Sequence, residues 1–537
     1  MTNKWWQDAV VYQIYPRSFL DTNQDGIGDL PGIISKLDYL KDLEVNCLWL
    51  CPVYRSPGKD NGYDISDYTD INPEFGTLSD MDLLIREAGQ RGIKIIMDLV
   101  INHTSDQHPW FLKSKDKNSP YRDYYFWKED TNGKPPNNWT GFFGGKTWSK
   151  DPGSGDWYLH LFAKEQPDLN YHNPAVIEEI KSILKFWLDK GIAGFRCDVI
   201  NILWKESLND GRKRLILTGS EHYISKQRNH DILKTLRKDV LDLYDCFTVG
   251  ETVFITPEDA RDFILPERKE LDMIFSFEHM ETDQIIVKWF KTKFKPKKLF
   301  QTLIKWQKEL PWNANYLENH DQPRSVSRFG NDGKHREVSA KMLAVLLLTL
   351  RGTPFIYQGQ ELGMTGFDFQ SMEDIRDVES INIHRLAKSL HIPKKIRWQM
   401  IRRTSRDNAR TPFQWSDENY AGFTKETPWI KVNGNYKRIH AKEQIKNPDS
   451  VLTFYKKLIA LRKNSVVLRK GSFTSVYYDK NIFVYKRTYE EESILVLLNF
   501  SDRKIEYQSS GSVLFTNYKR ELYDGVLNPY EGLLLQL

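Results

Sequence analysis

Cysteine is scarce in this 537-residue chain, which has only Cys47, Cys51, Cys197 and Cys246. Cys47 and Cys51 lie four apart in an apolar, strand-like run, too far apart along an extended backbone to bridge. No CxxC pair offers a metal site either. A disulfide-stapled secreted fold and a thiolate metal cluster are therefore not expected. Long apolar runs are also lacking: no stretch of about 18 apolar residues exists, so no transmembrane helix is expected. The opening residues, MTNKWWQDAVVYQ, lack the apolar core of an export signal. Free thiols without such a signal point to the cytoplasm and to no membrane partner. Net charge is small, +5 from 77 basic and 72 acidic residues, and no nucleic-acid partner is expected. One lysine-rich stretch, KWFKTKFKPKK (288–298), reads as a solvated amphipathic helix followed by a lysine-rich turn and is given no function.

Aromatic residues make up 13% of the chain. Many belong to a core, but Trp and Tyr also present flat, half-polar faces that suit sugars. The length exceeds what one compact core accommodates and implies two or three domains. Short apolar, β-branched runs alternate with longer amphipathic stretches, the pattern of parallel βα units. Eight candidate strands can be counted, at residues 10–15, 47–53, 93–100, 193–199, 247–250, 273–277, 315–317 and 354–357. Helical patterns fill most gaps, as at 174–190 (PAVIEEIKSILKFWLDK), where Pro174 stands in the first turn. Eight such units close a (β/α)8 barrel of the TIM type, an α/β fold whose active sites lie at the C-terminal ends of the strands.

Two regions break the alternation. Residues 104–172 are rich in Gly, Pro, Asn, Trp and Tyr, and a loop that long implies a small inserted domain or lid. After residue 466 alternating strands follow without helices, which reads as an antiparallel β domain over 466–537. The barrel itself then spans 1–103 and 173–465. No internal repeat or low-complexity segment stands out.

Four strands end in polar residues, against the habit of a buried parallel strand: IIMDLVINH, GFRCDVIN, FTVGET and YLENHDQ. Cutting a glycosidic bond needs two carboxyl groups flanking it, one ionised and one holding a proton near neutral pH. Asp198 follows Arg196 by two residues, so in a strand both point to the same face, and the guanidinium is expected to hold the carboxylate ionised, as a nucleophile requires. Glu251 ends an apolar strand with no basic neighbour in sequence, so desolvation is expected to raise its pKa, as an acid requires.

The residues now carry a resemblance. VYQIYPRSF (11–19), DNGYDISDY (60–68), DLVINHTS (98–105), QPDLN (166–170), GFRCDVIN (194–201), VGET (249–252), ENHDQPR (318–324), GTPFIYQGQELGMT (352–365) and RDNARTPFQW (406–415) stand in fixed order. Together they resemble the α-amylase superfamily of glycoside hydrolases, and within it the oligo-1,6-glucosidase and dextran glucosidase group. The resemblance implies a barrel, a small insertion after strand 3 and a C-terminal β-sandwich. It implies Asp198 as nucleophile, Glu251 as acid/base and Asp321 as a third essential carboxylate. It assigns Asp60, Tyr63, His103, Arg196, His320 and Arg410 to glucose binding, Phe143 and Phe162 to aromatic walls, and Gln166 to a polar contact from the insertion. Val199, next to the nucleophile, matches members that cut α-1,6 bonds. A monomer acting on a short oligosaccharide without an organic cofactor is expected.

The stretch DTNQDGIGD (21–29) begins like an EF-hand, but the twelfth position, where a bidentate Glu belongs, is Gly32. The resemblance nevertheless implies one structural Ca²⁺ held by Asp21, Asn23, Asp25, Asp29 and the carbonyl of Ile27. Some positions depart from the group's pattern. They are Cys197, Thr252, Val253, Phe254, Glu318, Gln360 and above all residues 204–231, which help shape the leaving-group subsites. Three rival readings follow. Trehalose-6-phosphate hydrolases have a second His where this chain reads FEHM (277–280), although Arg212–Arg214 and Lys226–Arg228 are basic. Sucrose-cleaving and sucrose-isomerising members have an Arg/Asp-rich segment after strand 6, where this chain reads METDQIIVKWF. A non-catalytic transporter-subunit relative would need a membrane anchor and lost carboxylates.

Overall fold

The computed structural model describes residues 4–214, 216–285 and 287–537. Leu215, within the atypical 204–231 stretch, and Ile286, within the segment after strand 6, lie outside the described residues. Eight parallel strands carry the fold: β1 (Val11–Ile14), β2 (Cys47–Leu50), β3 (Lys94–Leu99), β4 (Gly194–Cys197), β5 (Phe247–Glu251), β6 (Met273–Phe275), β7 (Ala314–Asn315) and β8 (Thr353–Tyr357). Their order is β6-β5-β4-β3-β2-β1-β8-β7, and β6 stands beside β7, so the sheet is a nearly closed barrel. All eight candidate strands are present, most of them shorter than expected. Every residue of β1, β2 and β4 is buried, because helices cover one face of a parallel sheet and the barrel core the other.

Local chemistry sets these elements. Asn173 caps the helix Pro174–Asp189 by accepting from Ala175 N, with Pro174 in the first turn. Gly194 opens β4 at φ +144°, where an added Cβ would lie 2.0 Å from the carbonyl oxygen of Phe247 on β5. Only glycine lets these two strands pair so closely.

Between β3 and β4, a short helix (Pro109–Ser114) precedes a three-stranded antiparallel sheet, in which Trp157–Leu159 lies between Trp127–Lys128 and Trp148–Lys150. Its apolar cluster of Phe126, Trp139, Trp148, Leu159 and Leu161 packs onto Val199, Ile202 and Tyr223. The insertion thus rests on the segment that follows β4, directly over the barrel mouth. At the chain's end five antiparallel strands form a sheet in the order β9-β10-β11-β13-β12. These are β9 (Ser472–Tyr478), β10 (Ile482–Tyr489), β11 (Glu492–Asn499), β12 (Ser512–Thr516) and β13 (Gly532–Gln536). Buried Arg487 ties β10 to the barrel by donating to the carbonyl of Thr349, and it also donates to that of Leu468 in the short helix before β9.

Candidate active site

The polar strand ends meet at the C-terminal mouth of the barrel. Register places Arg196 of β4 opposite Asp98 on β3 and Val249 on β5, so its side chain rises between two neighbouring strand ends. Its Nη1 lies 2.5 Å from Asp98 Oδ1 and 2.6 Å from Asp198 Oδ1, and its Nη2 donates to Glu251 Oε2. One guanidinium, 3% exposed, therefore serves three carboxyl groups. Asp98 is held further by Trp49 Nε1 at 2.9 Å.

One buried cation cannot keep three close carboxylates ionised. Burial raises Asp198 above the ordinary aspartate range and outweighs the opposing pull of Arg196, with the charge of Asp98 adding to the rise. Burial raises Glu251 still further, and the Asp198 charge adds to it despite Arg196. Burial also lifts Asp98, to about 6. The expectation of a depressed Asp198 is thus corrected, because the arginine is shared and the carboxyl group is buried. Glu251 has a basic neighbour after all, reached across strands rather than along the sequence. The order survives: of the pair, Glu251 keeps its proton to higher pH.

Asp321, in the loop after β7, has the opposite surroundings. Arg410 Nη2 lies 2.5 Å from its Oδ1, Arg406 Nη1 3.6 Å from the same oxygen, and His320 Nε2 3.6 Å from Oδ2. Burial alone would raise it, but His320, Arg406 and Arg410 together hold it far below the usual carboxylate range. Burial lowers His320 to about 3. Gln13 Nε2 faces its Nδ1 at 2.8 Å, which leaves the Nε2 proton to the Tyr63 hydroxyl at 2.6 Å.

Arg406 is a second hub. It contacts Asp60 Oδ1 at 3.0 Å and Asp377 Oδ1 at 2.8 Å and lies 5.2 Å over the Phe143 ring. Gln166 of the insertion reaches Asp60 Oδ2 at 3.3 Å and His103 Nε2 at 3.0 Å. Phe162 stands 5.2 Å from the His103 ring and 5.5 Å from Phe143. The structure thus brings together Asp60, Tyr63, His103, Phe143, Phe162, Gln166, Arg196, Asp198, Glu251, His320, Asp321 and Arg410.

Val199 differs from its expected setting. Strand β4 ends at Cys197, and Val199 adopts a left-handed backbone, φ 36° and ψ 43°. For a β-branched residue this is a strained conformation, of about 1–3 kcal/mol. Its orientation therefore comes from this turn, not from strand alternation. The side chain, 6% exposed, joins the insertion's apolar cluster, and its N–H faces Glu251 Oε2 at 3.4 Å. Sequence reasoning also missed Arg406, Asp377, Glu379 and Lys288. Lys288 Nζ pairs with Glu379 Oε2 at 2.5 Å, and Glu379 lies 3.9 Å from Arg406 Nε. The 288–298 stretch is therefore no solvated helix: Val287–Lys291 is a strand turned toward the site, and the helix begins at Pro296. Only the RDNARTPFQW motif carried a signal for Arg406.

The 21–29 loop supplies hard oxygen donors of the kind Ca²⁺ takes. Asp21 accepts from Gln24 N and Gly26 N, Asp29 from Thr22 N and Gly32 N, and Asp25 from Ile27 N. No group of three His, Cys, Asp or Glu side chains is arranged to hold a metal among the described residues. Asp29 Oδ2 also accepts from the Thr22 hydroxyl and Asn23 N, and Asp21 Oδ2 from the Thr424 hydroxyl, so the donor types suit the ion while the side chains are turned to the loop's own hydrogens and not gathered around one point.

A barrel whose mouth holds one carboxyl group that keeps its proton beside others that stay ionised has the make-up of a glycoside hydrolase. Residues 13–471 match the catalytic domain of the α-amylase family, and the chain belongs to that family. It is 48% identical to an oligo-1,6-glucosidase of Parageobacillus thermoglucosidasius, with 99% of each chain covered. It is 42% identical to a glucan 1,6-α-glucosidase of Streptococcus dysgalactiae subsp. equisimilis, with both chains fully covered. Among solved structures, an isomaltulose synthase from Klebsiella sp. LX3 superposes with a TM-score of 0.97 at 41% identity, over 100% of both chains. A trehalose-6-phosphate hydrolase of Bacillus licheniformis gives 0.94 at 43% identity, over 99% of this chain and 100% of that one.

Proposed function

We propose that the protein is a retaining α-glucosidase that releases terminal α-1,6-linked glucose from isomaltose and short isomalto-oligosaccharides. The observation that carries this reading is the sharing of one guanidinium by Asp198 and Glu251, on Nη1 and Nη2. Carboxyl groups bridged in this way are close enough for direct attack and leave no room for a water between acid and nucleophile, which is the retaining arrangement. Asp198 attacks the anomeric carbon while Glu251 passes its proton to the leaving glycosidic oxygen. Water then attacks the glucosyl ester, Glu251 takes up a proton from it, and α-glucose leaves with Asp198 restored. Asp321, held ionised by Arg406 and Arg410, stabilises the positive charge that develops on the sugar ring.

The names of the curated relatives and the apolar Val199 support the α-1,6 preference. We also propose a Ca²⁺ in the 21–29 loop, bound through Asp21, Asn23, Asp25, Asp29 and the Ile27 carbonyl, with a role in stability. We further propose a cytoplasmic monomer, in keeping with the four free, buried cysteines. No described helix is long and apolar enough to cross a membrane. The test is a panel of isomaltose, panose, maltose, sucrose, trehalose and trehalose-6-phosphate. Isomaltose should give the highest kcat/KM, and the first glucose released should be the α anomer by proton NMR. Preference for sucrose with isomaltulose as product, or for trehalose-6-phosphate, would overturn the substrate assignment.

A further inference from the structure

Lys205 is buried without a role in the chemistry above. Its ammonium, fully shielded from solvent, lies 2.7 Å from Asp168 Oδ2 and 2.8 Å from Asn102 Oδ1. It also donates to the carbonyl of Ile202 at 3.1 Å. Three segments therefore converge on one cation: the end of β3, the return of the insertion to the barrel, and the stretch after Asp198. A lysine offers only donors, so the Asn102 atom facing it must be the amide oxygen. The amide nitrogen then turns the other way, 3.2 Å from Asp168 Oδ2 and 3.3 Å from His103 Nδ1.

We propose that the Lys205–Asp168 pair, acting through the amide of Asn102, sets the tautomer of His103 so that Nε2 carries the proton and the ring is fixed at the edge of the glucose site. A count of hydrogens decides between the two neutral forms. With the proton on Nε2, the ring donates to the Tyr63 carbonyl at 3.1 Å. Asn102 then spends its two amide hydrogens on Asp168 and His103 Nδ1. Gln166, whose oxygen accepts from Ala163 N, spends its two on Asp60 Oδ2 and the Tyr63 carbonyl. Every hydrogen has an acceptor, and the one like-against-like approach, Gln166 Nε2 to His103 Nε2 at 3.0 Å, has the hydrogens of both nitrogens turned to other acceptors. With the proton on Nδ1, that N–H meets only the Asn102 nitrogen, and both it and one Asn102 hydrogen are left unpaired in a buried site, which is costly. Burial also lowers the His103 pKa, so the ring stays neutral and the choice of tautomer matters. Lys205 is thus a positioning residue, and its effect on turnover rests on the α-glucosidase reading while the tautomer does not.

The test reads the ring nitrogens of His103 in full-length, ¹⁵N-histidine-labelled protein, its signals assigned by their loss in His103→Gln. The wild type should carry its proton on Nε2; a proton on Nδ1 overturns the proposal. Asn102→Asp offers Nδ1 only an acceptor, so the proton should move to Nδ1. kcat/KM on isomaltose should then fall at least tenfold in the folded variant. Retention of Nε2–H in that variant overturns the relay, and a switched tautomer with wild-type kcat/KM overturns its role toward substrate. Lys205→Met combined with Asp168→Asn removes both charges together. If folded, it should give a mixture of tautomers, and an unaltered Nε2–H signal would refute the part given to the ion pair.

Discussion

The shared guanidinium makes a quantitative demand on the pH profile. Asp198 and Glu251 sit on the two Nη atoms of Arg196, and the retaining arrangement places such carboxyl groups about 5 Å apart. At an effective dielectric of about 20, two like charges at that distance repel by about 3 kcal/mol, or roughly 2 pH units. The first proton leaves the pair when its partner is still neutral, so this repulsion falls on the second, which the structure assigns to Glu251. The acid limb of kcat/KM on isomaltose, reporting Asp198, should lie above the ordinary aspartate range. The alkaline limb, reporting Glu251, should lie about 2 units or more above an ordinary glutamate. Glu251→Gln removes the second proton altogether. On isomaltose it should cost several orders of magnitude, because the leaving sugar needs that proton. A nitrophenyl glucoside leaves without one, so in single-turnover glucosylation the loss should be much smaller and the alkaline limb should vanish. The acid limb should stay in place, because Glu251 is already neutral where Asp198 titrates. Added azide should accelerate deglucosylation, since it needs no general base. An alkaline limb that persists unmoved in the Gln variant, or equal losses on both substrates, would refute the assignment.

Asp198→Asn keeps the shape but removes the nucleophile, so turnover should fall by several orders of magnitude while calorimetry still detects isomaltose binding. Val199→Thr adds a hydroxyl to the apolar cluster between the insertion and the barrel mouth, and the isomaltose-to-maltose ratio of kcat/KM should shift toward maltose by about 10- to 200-fold; an unmoved ratio would remove Val199 from linkage choice. Chelation of the 21–29 loop should lower the melting temperature without changing kcat, since an ion at a hundredfold excess over Kd contributes about 2.7 kcal/mol. Glu361, buried and hydrogen-bonded at 2.7 Å by both Tyr12 and Tyr39, is raised to about 7 by burial. The folded state therefore holds a proton that the unfolded chain releases from about pH 4.3. Stability should fall as pH rises through that interval and level off above the folded value. Glu361→Gln should flatten this part of the melting curve against pH, and an unchanged slope would count against it.

Fold and chemistry were legible to different depths in the sequence. The barrel was readable because every strand is a short apolar run, and the run ends were readable because Asp98, Asp198 and Glu251 break the apolar pattern. Individual ionisation states were not. Arg196 stands two residues from Asp198 but serves Asp98 and Glu251 as well, and only strand register reveals that sharing. Arg406 and Asp377 are 29 residues apart yet bonded, and nothing in local periodicity links them. Lys288 was misread because a run of lysines is ordinarily a solvated face. Here the strand Val287–Lys291 folds back toward the helix Val378–Ser389, and Lys288 becomes a partner of Glu379. The strand at 193–199 was drawn two residues too long, because β4 ends at Cys197 and Val199 already lies in a left-handed turn.

The two arginine hubs explain why neighbouring carboxyl groups take different protonation states in one cavity. Around Arg196 one cation faces Asp98, Asp198 and Glu251, and the shortage of positive charge leaves a proton to be shared. Around Arg406 the shortage eases. Arg410 adds a second guanidinium and Lys288 an ammonium beside Asp321, Asp60, Asp377 and Glu379. Burial still raises Asp60 and Glu379 above their ordinary range. There Asp377, like Asp321, is held well below the usual carboxylate range: burial would raise it, but Arg406 and Arg410 prevail. A retaining glycosidase needs both conditions within reach of one sugar ring: a proton to donate on the leaving-group side, and a permanent negative charge to answer the developing cation. Desolvation alone would protonate every carboxyl group in the pocket. It is the unequal supply of arginine, one on the side of the proton and two on the side of the fixed charge, that divides the work.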